Sequence, residues 1–275
     1  MEITSDGGLV ATTQGGLAPF ALYRPRTLSE ARAAMSSAPR PVALYAGGTD
    51  FFASVREGLQ PASLIWLAGI AELSAAEADA DWLTLGSGLS HEEAVRHPAL
   101  VAVPGLAQAW GRIATVRIRR HATLGGNLMA RRPRYELSIL LSALCARARL
   151  ATSTGMLELP VEALWDLDEP ALLISVAIPL AGAPRLDYAR DLRPLCTQAL
   201  CLRAPAASRL PERRLAVATE HLRPWITEPA PGAAPEEVFA ALPSDFADPA
   251  AGRGWLARAG AAQYERQRAR LEAVP

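Results

Sequence analysis

Ala46-Gly-Gly-Thr-Asp50 follows a short apolar run, and a second double glycine occurs in Thr123-Leu-Gly-Gly-Asn127. The apolar run, Pro41 to Ala46, is bounded by proline and glycine and is typical of a buried strand that leads into a helix. Thr49 and Asp50 are candidate caps for that helix. Glycine has no Cβ, so a bulky anion can approach the backbone closely and consecutive amides can donate to it. The two turns therefore predict a diphosphate site.

The side-chain donors beside these glycines are uncharged. Thr49, Thr123 and Asn127 suit a dinucleotide whose diphosphate is held mainly by backbone dipoles. The alternative is that each glycine pair is only a tight turn that requires a positive φ. Neither pair is the G-x-G-x-x-G fingerprint, so spacing alone leaves both interpretations open.

Further elements flank the two turns and indicate an α+β fold. Thr27 with Glu30, and Ser90 with Glu93, form capping-box patterns that predict helix starts. Strands are predicted where short apolar runs end at glycine or proline, and helices where apolar residues recur with helical spacing. The predicted strands cover 64–67, 82–86, 172–178, 197–203 and 214–219, and the predicted helices cover 28–37, 91–95, 105–113, 137–147 and 254–271.

All twenty-eight basic residues of the 275 are arginine, and the lack of lysine excludes some chemistries. A pyridoxal Schiff base, a lysine nucleophile and a P-loop all require an amine side chain. The twenty-eight acidic residues leave a net charge of zero, and no aromatic residue lies between Arg112 and Arg134, which argues against nucleic-acid binding. The arginines of this segment can neutralise phosphates, face a partner subunit or form a solvated surface: Arg117, Arg119, Arg120, Arg131, Arg132 and Arg134.

Cysteine and histidine patterns predict neither a metal site nor a hydrolase. The three cysteines, Cys145, Cys196 and Cys201, are an odd and sparse set that fits the reducing cytoplasm. Cys196 and Cys201 are expected on opposite faces of a strand, and no C-x4-C-x2-C, H-E-x-x-H or G-x-S-x-G pattern occurs. His121, beside the second glycine pair, is more typical of a loop residue than of a catalyst. We expect neither a secretory signal nor a membrane span.

The order of the motifs resembles one family. From Phe20 to Pro179 the chain is similar to the FAD-binding subunit of molybdenum hydroxylases, which include carbon monoxide dehydrogenase and xanthine dehydrogenase. The matching motifs are Tyr23-Arg-Pro25, Ala46-Gly-Gly-Thr-Asp50, Leu85-Gly-Ser-Gly88, Ala122-Thr-Leu-Gly-Gly-Asn-Leu128 and Leu173-Ile-Ser-Val-Ala-Ile-Pro179. The resemblance implies a PCMH-type FAD-binding domain of two α/β subdomains, then a small C-terminal domain with a three-stranded antiparallel sheet and helices.

The resemblance also implies a division of the chain. Residues 19–182 are expected to form the FAD-binding domain, with subdomains over 19–75 and 76–182. Residues 183–275 are expected to form the C-terminal domain, and residues 1–18 a polar extension.

In this family both glycine motifs hold the FAD diphosphate. Glu136, three positions after Pro133, matches an acidic residue that contacts the ribose, although aspartate is usual there. Arg131 and Arg132 stand where the family has small residues, and Arg190 is the nearest cation to a family lysine that this chain lacks. The cofactor-binding residues implied by the resemblance are Leu44, Tyr45, Ala46, Gly47, Gly48, Thr49, Asp50, Phe51, Ile113, Thr123, Leu124, Gly125, Gly126, Asn127, Glu136, Leu173 and Arg190.

A subunit of this family binds one FAD and relays electrons within an oxidoreductase complex, with no residue acting as acid, base or nucleophile. The implied partners are an iron–sulfur subunit with [2Fe-2S] clusters and a large subunit with molybdopterin. The implied acceptor is NAD, oxygen or a quinone. Two alternatives stay open: a non-catalytic assembly subunit of the same fold that has lost flavin, and a stand-alone FAD oxidase.

Overall fold

The computed structural model describes residues 18–191, 195–205 and 210–273. Residues 1–17 of the predicted N-terminal extension lie outside these ranges. Three β-sheets follow one another along the described chain, each with its own helices. The mixture of helices and strands confirms the predicted α+β class. The division of the chain into domains at 75/76 and 182/183 stays a prediction.

The first sheet is parallel, with strand order β1-β3-β2. It is formed by β1 (Ala21–Tyr23), β2 (Val42–Tyr45) and β3 (Ser63–Trp66), with helices α1 (Leu28–Ser37) and α2 (Thr49–Arg56). Thr27 caps α1 as predicted, because its hydroxyl accepts the amide hydrogen of Glu30 at 3.1 Å. The predicted caps of α2 are wrong. Gly48, with a left-handed φ of 80°, occupies the cap position, and Thr49 and Asp50 are the first two helical residues.

The second sheet is antiparallel, with strand order β4-β5-β8-β6-β7. Its strands are β4 (Ala76–Ala78), β5 (Trp82–Gly86), β6 (Arg147–Ala151), β7 (Met156–Pro160) and β8 (Leu172–Pro179). Its helices are α3 (His91–Arg96), α4 (Leu106–Gly111), α5 (Val116–Arg119), α6 (Leu124–Met129) and α7 (Leu137–Ala143). The predicted helix over 137–147 is too long, because Cys145 has a φ of 56° and β6 begins at Arg147.

The third sheet is antiparallel and has four strands in the order β12-β11-β10-β9. Its elements are β9 (Arg185–Arg190), β10 (Thr197–Leu202), β11 (Arg213–Ala218), β12 (Trp225–Thr227), α8 (Pro235–Ala240) and α9 (Arg253–Glu272). The predicted three-stranded sheet therefore gains one strand. That strand has only three residues in a proline-rich stretch, too few to show an alternating pattern. The described residues also contain three short 3-10 helices, at Ala71–Leu73, Pro98–Ala102 and Val161–Asp166.

The four-stranded sheet is covered on both faces. Cys201 belongs to the core that includes the fully buried helix α7, whereas Cys196 packs into a second core beneath α9. The two cysteines therefore lie on opposite faces of the sheet, as their spacing predicts. Arg203 also joins this sheet to the preceding part of the chain, since its guanidinium donates to the carbonyls of Pro179, Ala181 and Leu144 at 2.8–2.9 Å. Within the described ranges, no helix combines the length and apolar character that a membrane crossing requires.

Candidate functional site

A cavity of about 410 Å³ separates the parallel sheet from the five-stranded sheet. Its volume lies in the range of small-molecule sites, and most of its lining is apolar. Both glycine motifs and the start of β8 reach this cavity. The predicted site residues that line it are Leu44, Tyr45, Ala46, Gly47, Gly48, Thr49, Asp50, Phe51, Thr123, Gly125, Gly126 and Leu173.

The first glycine motif presents backbone donors. Among the described residues, the amide hydrogens of Gly47, Gly48, Thr49 and Asp50 have no hydrogen-bond partner. The first bond of α2 runs from the amide of Phe52 to the carbonyl of Gly48, at 3.0 Å. The Phe51 amide also has no partner among the described residues, and this run of free amides at the start of an eight-residue helix, with its positive dipole end, forms a favourable site for an anion.

Glycine is required in the first motif for two separate reasons. A Cβ atom on Gly47 would lie 1.5 Å from the carbonyl oxygen of His121, so the two backbones can meet only without a side chain. Gly48 has the left-handed φ that L-residues rarely adopt, and its Cβ would also lie 2.8 Å from the ring of Tyr45. The backbone of the first motif is therefore constrained by its contact with His121, which lies two positions before the second motif.

The second glycine motif is a helix start rather than a turn with free amides, so that part of the prediction is wrong. Thr123 is the N-cap of α6, and its hydroxyl accepts the amide hydrogen of Gly126 at 3.1 Å. The amide of Leu124 donates to the carbonyl of Leu89, and that of Gly125 donates to the carbonyl of Ser87, at 2.9 and 2.8 Å. These three donors are already used within the chain.

An ion-pair network lies beside the free amides. Asp50 accepts hydrogen bonds at Oδ1 from Arg132 Nε at 2.6 Å and from the Tyr135 hydroxyl at 2.9 Å. Arg132 also binds both carboxylate oxygens of Glu57 and the hydroxyl of Ser54, at 2.7–3.0 Å. The bond from Arg132 lowers the pKa of the Glu57 carboxyl, and burial, followed by the bond to Asp50, raises the pKa of Tyr135.

The other arginines of this segment have different surroundings. Arg131 lines the cavity with a φ of 48°, and its guanidinium donates to the carbonyl of Leu167. Arg119 donates to the carbonyls of Ile113 and Ala114, and Arg134 lies over the ring of Tyr135. Arg117 and Arg120 are exposed and line a shallow groove that also reaches Thr49.

Five predicted site residues do not line the cavity. Ile113 and Leu124 are buried in the hydrophobic core, and Asn127 turns its side chain towards His91. Glu136 is buried and lies 3.4 Å from Arg190. Burial raises the pKa of the Glu136 carboxyl, and Oε1 of this residue has no hydrogen-bond partner within the described ranges.

Sequence reasoning missed the part that His91 plays beside the second motif. The Trp110 indole donates to His91 Nδ1 at 2.6 Å, and Nε2 lies 3.4 Å from the side-chain nitrogen of Asn127. Burial, followed by the charge of Arg119, lowers the pKa of His91 to about 4. The ring is therefore neutral near pH 7, and it packs against Trp110 beneath α6. Its position at the start of a capped helix was the only available signal.

Sequence reasoning also missed the apolar walls of the cavity. They include Met35, Leu59, Leu67, Leu73 and Met129, from several separate elements. No local pattern distinguishes a residue that faces a cavity from one that faces a filled core.

Comparison with known proteins gives a family match over a range that includes all the residues lining the cavity. Residues 18–181 match the family described as FAD binding domain in molybdopterin dehydrogenase. The caffeine dehydrogenase subunit beta of Pseudomonas sp. (strain CBB1) is 30% identical over 133 residues. That match covers 46% of this chain and 44% of the relative, so it spans less than half the length of either protein.

Solved structures share the fold over nearly the whole chain. A chain of reconstituted CO dehydrogenase from Oligotropha carboxidovorans has a TM-score of 0.80 at 18% identity, covering 94% of this chain and 99% of that one. A chain of quinoline 2-oxidoreductase from Pseudomonas putida 86 has a TM-score of 0.74 at 20% identity, covering 92% and 96%. At these identities the likeness shows the fold alone.

Proposed function

Because the chain belongs to the family of FAD-binding domains of molybdopterin dehydrogenases, we propose that it binds one FAD as the electron-transfer subunit of a multi-subunit molybdenum hydroxylase. The single observation that carries FAD binding is the row of free amides from Gly47 to Asp50 at the edge of an apolar cavity. This donor set suits a diphosphate, because it offers hydrogen bonds and a helix dipole without a fixed side-chain charge.

The residues around these amides fit the rest of a dinucleotide. The apolar walls of the cavity, with Leu44 and Leu173 among them, can cover an aromatic ring system. Thr49 lines both the cavity and the neighbouring shallow groove, so a ligand longer than the cavity can extend past it. The second glycine motif contributes close backbone packing and the hydroxyl cap of Thr123, rather than free amides.

Bound FAD would supply the electron-accepting and electron-donating chemistry, and the chain would bind and orient it. The charged residues that line the cavity are Arg40, Asp50, Arg131 and Glu169. Asp50 is engaged by Arg132 and Tyr135, and Arg131 by a backbone carbonyl. For Asp50 and Arg131, these contacts favour a part in the structure of the binding site over a part as general acid or base.

The proposed function requires partner subunits. We propose that an iron–sulfur subunit with [2Fe-2S] clusters delivers electrons and that a molybdopterin-binding large subunit hydroxylates the substrate. NAD, oxygen or a quinone would then be the acceptor. Caffeine dehydrogenase and quinoline 2-oxidoreductase, by their names, act on different substrates. Three free cysteines favour a cytoplasmic location.

Titration of the purified chain with FAD tests the proposal. We expect saturable quenching of flavin fluorescence at one FAD per chain, and competition by ADP, which carries the same diphosphate. Absence of binding would contradict the proposal and favour a non-catalytic assembly subunit. Steady substrate turnover by the isolated chain would instead favour a stand-alone oxidase. Co-purification of iron- and molybdenum-containing chains from the native source would test the partners.

A further inference from the structure

Arg132 occupies an unusually well-bonded position next to the proposed diphosphate site. Its guanidinium makes four hydrogen bonds, one to Asp50, two to Glu57 and one to Ser54. All three partners belong to, or directly follow, helix α2, which lies about 80 residues earlier in the sequence. The Arg132 and Asp50 side chains are 20% and 23% exposed, so solvent screens this pair less than an ordinary surface ion pair.

The Asp50 carboxylate is unfavourable for diphosphate binding unless its charge is compensated. Its carboxylate lies in the first turn of α2, beside the free amides of Gly47, Gly48 and Thr49. A carboxylate there is attracted to the same amides and the same helix dipole as a diphosphate. It would also repel the diphosphate, because both groups are negatively charged.

The network engages both oxygens of the Asp50 carboxylate and compensates its charge. Oδ1 accepts from Arg132 and Tyr135, and Oδ2 accepts from Ser54 at 3.4 Å. Neither oxygen makes a hydrogen bond to a backbone amide among the residues that the structure describes. Arg132 is the charged group that contacts Asp50 among the residues that the structure describes, and it also contacts Glu57.

We propose that Arg132 is a positioning residue for the cofactor: it holds and neutralises Asp50, so that the amides of α2 remain available to a diphosphate. The inference rests on the proposed function. The neighbouring Arg131 is also held within the chain, because its guanidinium donates to the carbonyl of Leu167. Arg131 and Arg132 therefore each make a side-chain contact that a small residue at the same position would not make.

Four variants of the full-length chain test whether Arg132 supports FAD binding by compensating the charge of Asp50 or only by stabilising the local structure. Arg132→Met removes the cation and leaves Asp50 without it. Asp50→Asn combined with Arg132→Met removes both charges and keeps an acceptor for the Tyr135 hydroxyl. Asp50→Asn alone measures the effect of the carboxylate. Arg56→Met is the matched control. Arg56 is an exposed arginine on α2, the helix that carries Asp50, and its side chain makes no hydrogen bond to a described residue.

The readout is the dissociation constant for FAD, measured by fluorescence at two salt concentrations. We expect Arg132→Met to weaken binding at least about tenfold, more at low salt than at high salt, because repulsion by Asp50 is screened by ions. The double variant should recover to within about threefold of the wild type, and Arg56→Met should bind like the wild type. Recovery in the double variant is the decisive observation, since a purely structural loss would not be repaired by removing a second contact.

Two results would overturn the inference. One is unchanged affinity of Arg132→Met, and the other is equal weakening in Arg132→Met and the double variant. Failure of the wild-type chain to bind FAD would instead contradict the proposed function. The same four variants would then be compared with inorganic pyrophosphate as the probe, for which we expect the same order of affinities. Equal affinities of the wild type, Arg132→Met and the double variant for pyrophosphate would show that Arg132 does not keep the amides available to a diphosphate.

Discussion

Gly47 packs directly against the carbonyl oxygen of His121, where a Cβ atom would lie only 1.5 Å from that oxygen. The first glycine motif is therefore in backbone contact with the residue that lies two positions before the second motif, 74 positions from Gly47 in the sequence. This contact explains why the first motif needs glycine without reference to a ligand.

Replacement of Gly47 by alanine should destabilise the fold. Because the clash is with backbone atoms that cannot rotate away, we expect the free energy of unfolding to fall by at least about 3 kcal/mol. Urea denaturation measures this change. Gly126→Ala is the control, since its Cβ would meet only the Thr123 hydroxyl, at 3.1 Å, and should change the stability by about 1 kcal/mol or less. Equal midpoints for the wild type and Gly47→Ala would contradict the packing described here.

Stability should depend on the protonation of His91. Burial lowers the pKa of its ring to about 4 in the folded chain, whereas the unfolded chain has the ordinary pKa of 6.5. The unfolded state therefore binds more protons between these values, and stability should be lost as the pH falls from about 6.5 to 4. The total loss from this one group is roughly 3 kcal/mol.

The control for this pH effect is His91→Gln, which keeps an acceptor for the Trp110 indole but has no titratable ring. Urea denaturation of both proteins between pH 4 and 7.5 gives the difference in slope. We expect the wild type to lose more stability than the variant across this window. Parallel pH profiles would show that the ring is not held neutral.

The cap of α6 should contribute to local stability. Thr123→Val removes the hydroxyl that accepts the Gly126 amide hydrogen, so we expect a loss of about 1 kcal/mol. Thr123→Ser retains the hydroxyl and should stay close to the wild type. Thermal unfolding of the three proteins checks the prediction. A loss in Thr123→Ser with none in Thr123→Val would contradict the prediction and assign the effect to the threonine methyl group, which valine keeps and serine lacks.

The three thiols should be unreactive in the folded chain. Burial raises the pKa of Cys196 and of Cys201 to about 12, and it also raises the pKa of Cys145. Because the thiolate is the reactive form, we expect slow modification by a disulfide reagent at pH 7.5. Addition of urea should expose all three thiols. A rapid phase of one equivalent in the native protein would contradict this expectation.

Elements with strong local signals could be predicted from the sequence. The capping box of Ser90 and Glu93 is present with both of its reciprocal bonds, and β5 has the predicted bounds, Trp82–Gly86. The two glycine motifs do line one cavity. These features depend on residues that are close together in the chain, so their patterns are visible without knowledge of the fold.

Features that depend on distant residues could not be predicted. Gly125 and Gly126 were expected in a turn, but their amides are used by Ser87 and Thr123 in a helix start. The sequence allows Arg132 to be a solvated charge, and its contact with Asp50 follows only from the tertiary fold, since the two residues are 82 positions apart. Glu136 is buried and lies 3.4 Å from Arg190, a pairing that its sequence position does not reveal, and its contact with a ribose stays a prediction. In each case the partner is set by tertiary packing.

The central claim is that the amides of Gly47 to Asp50 bind the diphosphate of FAD. A crystal structure of the chain with FAD tests it most directly. We predict phosphate oxygens at about 2.7–3.2 Å from these amide nitrogens, with Asp50 still bound to Arg132. A diphosphate bound elsewhere, or these four amides without a phosphate partner in a fully occupied complex, would contradict the account.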